Sequence, residues 1–67
     1  MPTEVMYVVD RIEDDIVVLV DENERSIDAA LHRFQVLLKE GLVLRVPIGD
    51  KGKPQWGKAE VDRQGEE

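Results

Sequence analysis

Apolar side chains recur every second position from Val5 to Ile12, with Val5, Tyr7 and Val9 on one face and Met6, Val8 and Ile12 on the other. β-Branched residues dominate, so the segment is predicted as a strand. Glu13-Asp14-Asp15 makes a polar break of hairpin length, after which Ile16 to Asp21 returns as a second strand. Its centre, Ile16-Val17-Val18-Leu19-Val20, is apolar on both faces. Such a strand needs cover on each side, from the rest of the chain or from another copy of it. Glu22-Asn23-Glu24 follows, with Asn23 the residue best suited to a positive φ, and Arg25 to Ala29 reads as a third, shorter strand.

From Asp28 the period changes. Ile27, Ala30, Leu31, Phe34, Leu37 and Leu38 fall at helical spacing, while Arg33 and Gln35 lie off that stripe. The pattern predicts one to three helical turns within 28–40, capped by Ser26 or Asp28 and closed by Lys39 and Gly41. Alternation resumes from Leu42 to Val46 as a fourth strand, which Pro47 is expected to end. Gly49 to Pro54 reads as a flexible polar loop, and Gln55 to Val61 as a last strand. Residues 62–67 carry no apolar side chain and are expected to form a disordered acidic tail, leaving 1–61 as a single domain. The sum is a mainly β domain, a small five-stranded antiparallel meander or open barrel with one short helical segment after the third strand.

Size sharpens the need for cover. A chain of 67 residues buries only about 60% of the surface it exposes when unfolded. Burial then contributes on the order of 100 kcal/mol, against an ordering cost of about the same size. Apolar area covered by a second copy therefore matters, and self-association is expected. Cysteine is absent, which removes disulfides, thiolate metal sites and thiol nucleophiles. No basic leader precedes an apolar run and none of the runs approaches membrane-spanning length, so a soluble cytoplasmic protein is the expectation.

A net charge of -6 repels nucleic acid and anionic membranes. The charge is unevenly spread, however: between residues 39 and 58, Lys39, Arg45, Lys51, Lys53 and Lys58 stand against only Glu40 and Asp50. Trp56, flanked by Lys53, Pro54 and Lys58, is a candidate stacking platform for single-stranded nucleic acid. It is equally the one tryptophan available to anchor a small core or an interface.

Other candidate chemistry is weak. Asp14, Asp15, Asp21, Glu22 and Glu24 suggest a hard cation, but a calcium loop read from Asp21 puts Ser26 at the glycine position and His32 at the bidentate glutamate position, so the motif fails. Solvated turns account for these acids. His32 is the only imidazole, too little for a zinc site without several copies, and reads as a surface residue. Ser26 and Thr3 stand in no recognisable nucleophile arrangement. No catalytic residue, metal or cofactor is therefore assigned.

Tyr7-Val8-Val9-Asp10-Arg11-Ile12-Glu13, the apolar return strand, the Ile27-Asp28 pair and Lys39-Glu40-Gly41 before Leu42-Val43-Leu44 resemble the bacterial DUF3006 family over roughly residues 6–46. The most specific element is Asp10, Arg11, Ile12 and Glu13. The resemblance implies a short, mostly β fold and gives no catalytic residues. Where that family usually has prolines this chain has Ala30 and Gln35, and Leu42 replaces an aspartate. Losing the prolines favours helix in that segment. Asp10 and Arg11 fall on opposite faces of a regular strand, so Arg11 is expected to reach a carboxylate across the sheet and Asp10 to fix the hairpin turn.

The reading that follows is a non-catalytic interaction or accessory module, acting by homo-oligomerisation or by docking to another protein, with Phe34, Leu38, Leu42 and Trp56 as the candidate interface. The alternative is a small barrel for single-stranded nucleic acid that uses Lys39, Arg45, Lys51, Lys53 and Lys58 with Trp56.

Overall fold

The computed structural model of the chain describes residues 3–62. Five strands, β1 (Thr3–Glu13), β2 (Ile16–Val20), β3 (Ser26–Ala30), β4 (Val43–Ile48) and β5 (Glu60–Val61), form one open antiparallel sheet in the order β3-β2-β1-β4-β5. The mainly β architecture legible in the alternation is the one the chain adopts.

Central β1 serves two neighbours in succession. Its first half pairs with β4, from Thr3 opposite Ile48 to Val8 opposite Val43. Its second half pairs with β2, from Val8 opposite Val20 to Glu13 opposite Ile16. The handover coincides with a break in register between Val9 and Arg11, where Asp10 is the extra residue. A bulge of this kind bends the strand and increases its local twist. The Lys39-to-Leu42 turn fastens it: the Gly41 N–H donates to the Val9 carbonyl at 2.8 Å, and the Val9 N–H donates to the Leu42 carbonyl at 2.9 Å. Gly41, third in that turn, has φ +87, the left-handed geometry that a type II turn demands there and glycine adopts without a Cβ clash. Lys39-Glu40-Gly41 thus opens β4 and does not close a helix.

Both hairpins differ in detail from the expected form. The β1–β2 turn is only Asp14-Asp15, with Glu13 already paired to Ile16 and Asp14 at φ +54. In the β2–β3 loop the left-handed residue is Glu24, at φ +64, and not Asn23. The Asp21 N–H donates to the Arg25 carbonyl and the Glu24 N–H to the Asp21 carbonyl, both at 3.0 Å. That makes Glu22-Asn23-Glu24 a three-residue loop, a class that places its left-handed residue last. Asp21 Oδ1 also accepts the N–H groups of Asn23 and Arg25, at 2.8 and 2.9 Å.

Further along, β4 continues through Pro47, which lies opposite Glu4. The Pro47 carbonyl accepts the Gln55 N–H at 2.9 Å on the flank away from β1. β5 does not extend that far, so the ladder asks no donor of the proline. The 49–54 loop is a defined turn, held by Gly49 N–H to Lys53 carbonyl at 2.9 Å and by a bridge between Ile48 and Pro54. The expected last strand shrinks to Glu60–Val61, because Trp56–Lys58 forms a 3-10 turn that carries the tryptophan into the core.

The segment after β3 departs furthest from its pattern. Only Leu31–Arg33 is helical, as a single 3-10 turn, and Phe34 is already extended at φ -91, ψ 142. Residues 34–39 then run on as an irregular strap that sets Phe34 in the core and Leu38 against it. Its space is shared with Trp56, whose ring centroid lies 5.4 Å from that of Phe34. An α-helix about 10 Å across would displace that ring, and tertiary packing overrides the weak propensity pattern.

The core lies on one side of the sheet. Tyr7, Val9, Val17, Leu19, Ala29, Leu44 and Val46 face it from the strands, and the connecting segments add Phe34, Trp56 and Ala59. Leu31, Leu38 and Leu42 pack at its margin, whereas Leu37 is 95% exposed. The expected tail falls, apart from Asp62, outside the described residues.

Candidate functional site

The register that turns Val9, Leu19 and Leu44 inward turns their neighbours outward. Val8 lies opposite Val20 on β2 and opposite Val43 on β4, so a row of three valines crosses the middle of the outer face. Met6, Ile16 and Val18 share that face by the same alternation. Val8 is 42% exposed. Val18 is buried although it lies outside the core cluster, shielded by its neighbours on the outer side. The two-sided apolar character of β2 is real, with its inner side sealed and its outer side partly open.

Charged residues frame the valine row. Arg11 Nη1 lies 3.0 Å from Asp10 Oδ2, and Arg11 Nε bonds Glu13 Oε2. The partners of Arg11 are thus on its own strand and not across the sheet. The extra residue of the bulge breaks the strict alternation, and Asp10 comes within reach. Asp10 does not fix the hairpin, which turns at Asp14-Asp15. At the other end, Arg45 Nη2 lies 3.5 Å from Glu60 Oε1 and Arg45 Nε 4.0 Å from Asp62 Oδ1. Exposed pairs of this kind contribute little stability. They do tether cations that would otherwise be available to a polyanion.

A second feature arises where β1 parts from β2. Thr3 to Tyr7 have β4 as their sole strand neighbour among the described residues. A cleft of about 340 Å³ opens beside them, lined by Val5, Tyr7, Asp21, Glu22, Arg25 and Ile48 among others. The Met6 N–H points into the opening and meets Glu22 Oε2 at 3.4 Å. Burial, and secondarily the Asp21 charge, raise the Tyr7 hydroxyl pKa above 10.0. The N–H of Arg25, joined by that of Asn23 and by the Arg25 charge, holds the Asp21 carboxyl below 3.8 against the opposing effect of desolvation.

The residues singled out in the sequence are dispersed. Phe34 and Trp56 are core residues; Trp56 is 7% exposed, with its ring centroid 5.2 Å from Tyr7 and 5.4 Å from Phe34. Both rings are largely buried, and the small exposed part of Trp56 lines a cleft. Leu38 and Leu42 are half-buried against the core. Lys39, Lys51, Lys53 and Lys58 are exposed, and Arg45 is half-buried beside its acids. His32 is exposed, at the rim of a cleft of about 460 Å³ shared with Arg33, Gln35, Gln55 and Trp56 among others. Among the described residues no three of His, Asp and Glu gather to hold a metal ion, and no helix is long and apolar enough to cross a membrane. The outer valines were missed as a site, although the second apolar face of β1, with Met6 and Val8, was their signal.

No family model, curated protein or solved structure matches this chain.

Proposed function

We propose that this chain is a non-catalytic interaction module whose outer sheet face packs against a second copy of itself. The observation that carries the reading is the Val43-Val8-Val20 row, continued by Met6 and Ile16, on a face that the described residues leave partly uncovered. A row of β-branched side chains is self-complementary, and twofold packing of sheet on sheet at about 10 Å would bury both rows at once. The thin stability margin of a domain this small supports the same reading. So does the DUF3006-like sequence, which brings a short β fold and no catalytic residues. A cytoplasmic setting fits a cysteine-free chain.

Sedimentation equilibrium tests it. Each copy carries a net charge of -6, so the dimer should tighten as salt screens the repulsion. Val8→Lys places a charge in the centre of the row and should return the protein to monomer with its circular dichroism unchanged. A wild-type monomer at high micromolar concentration in both low and high salt would rule the reading out.

A further inference from the structure

We infer that the open half-edge of β1 takes up an extended basic peptide as an added strand. This site is distinct from the outer valine face, and it concerns backbone more than side chains. In the pairing of β1 with β4, successive residues direct their N–H and C=O groups to alternate sides. The Val9 N–H and carbonyl both bond the Gly41-Leu42 segment on the β4 side, which sets the phase. Tyr7 and Val5 therefore face β4, while Met6 and Glu4 turn their donors and acceptors outward. The Met6 N–H confirms that phase by meeting a carboxylate on the side away from β4.

On that side β2 has no residue to offer, because its pairing with β1 begins only at Val8 and Val20. The chain beyond Val20 is diverted by the Asp21-to-Arg25 loop, which the Asp21 carboxylate holds in place. The outcome is half a strand whose edge no strand pairs among the described residues, next to a cleft of about 340 Å³. Glu22 Oε2 occupies, at 3.4 Å, the position where a paired strand would present a carbonyl oxygen. It is a long bond to an exposed side chain, which an incoming backbone carbonyl would displace as acceptor.

Charge selects the occupant. Glu4 flanks the edge, and Asp21 and Glu22 line the cleft; among the described residues the one cation there, Arg25, stands 3.8 Å from Asp21. The chain as a whole is at -6. Strand addition draws affinity from main-chain bonds and specificity from alternate side-chain pockets. The fitting segment alternates, with apolar side chains on the face of Val5, Tyr7 and Ile48 and basic ones on the face of Glu4, while Asp21 and Glu22 add negative charge from the cleft.

The probe is an acetylated, amidated hexapeptide of alternating lysine and valine, compared with the same peptide N-methylated at alternate residues along one edge, in both phases. Each methylated peptide keeps the charges and side chains, and one of the two loses the main-chain donors that face β1. Titration followed by amide NMR should shift the Glu4 and Met6 resonances and slow their hydrogen exchange, with at least tenfold weaker binding for one of the methylated forms. A glutamate-valine counterpart should not bind. Absence of binding at millimolar peptide, equal binding of both methylated forms and the parent, or shifts that bypass Glu4 and Met6 would each overturn the inference. The valine-face dimer is read separately by sedimentation of the peptide-free protein, so the two proposals fail independently.

Discussion

Leu19 and Leu37 are the same side chain in opposite circumstances, fully buried in one case and 95% exposed in the other. Leu19→Ala should therefore cost about 2–5 kcal/mol, by lost transfer and a residual cavity, whereas Leu37→Ala should stay within about 0.5 kcal/mol. Urea denaturation of the two variants checks this. Leu19 was legible because it sits inside a run with no polar neighbour; Leu37 was misplaced because a helical stripe was projected onto a strap. Arg11 shows a subtler limit. Its pairing with Asp10 depends on a bulge, and no glycine in Val9-Asp10-Arg11 announces one. Asp21 gives a residue-scale pH effect. Its carboxyl is held below 3.8 in the fold, so the stabilisation it provides is present above that value and is lost as pH falls through the lower folded pKa. Asp21→Asn should flatten the acid limb of a melting-temperature profile. An acid limb identical to that of the unsubstituted chain would mean that the carboxylate contributes nothing to it.

Among the elements, the strands were readable and the connections were not. Alternation depends on which face is buried, and that is written residue by residue in β1, β2 and β4. Turn type depends on how many residues the ladder leaves over. Asn23 had the better intrinsic claim to a positive φ, yet the closing bond between Asp21 and Arg25 assigns it to Glu24. A non-glycine residue there is strained by roughly 1–2 kcal/mol. Glu24→Gly should recover part of this, raising unfolding stability by about 0.5–1 kcal/mol after glycine's own entropy cost. Equilibrium unfolding in guanidinium measures it, and no gain would show that the Asp21 carboxylate already relaxes the loop. The strap after β3 failed to become a helix for a reason that no local pattern contains. Its cover is needed over the same part of the core that Trp56 enters from a segment after the fourth strand.

At the level of the whole molecule, self-association should respond to pH as well as salt. The charge of -6 dwindles as pH approaches the isoelectric value of about 4.7, so repulsion between copies falls and the weight-average mass should rise. Light scattering along a pH series checks this, with Val8→Lys as the monomeric reference. The sidedness behind that expectation was half visible in the sequence: β2 declared two apolar faces, but only the register shows which one the core takes. The division of β1 between two partners also has a temporal consequence. During synthesis Thr3 leaves the ribosome long before Ile48, the residue it will lie against. Until the fourth strand emerges, Thr3 to Tyr7 lack the one strand that flanks them among the described residues. Completion of this sheet thus waits until residues 43–48 have been translated and can lie against the first half of β1.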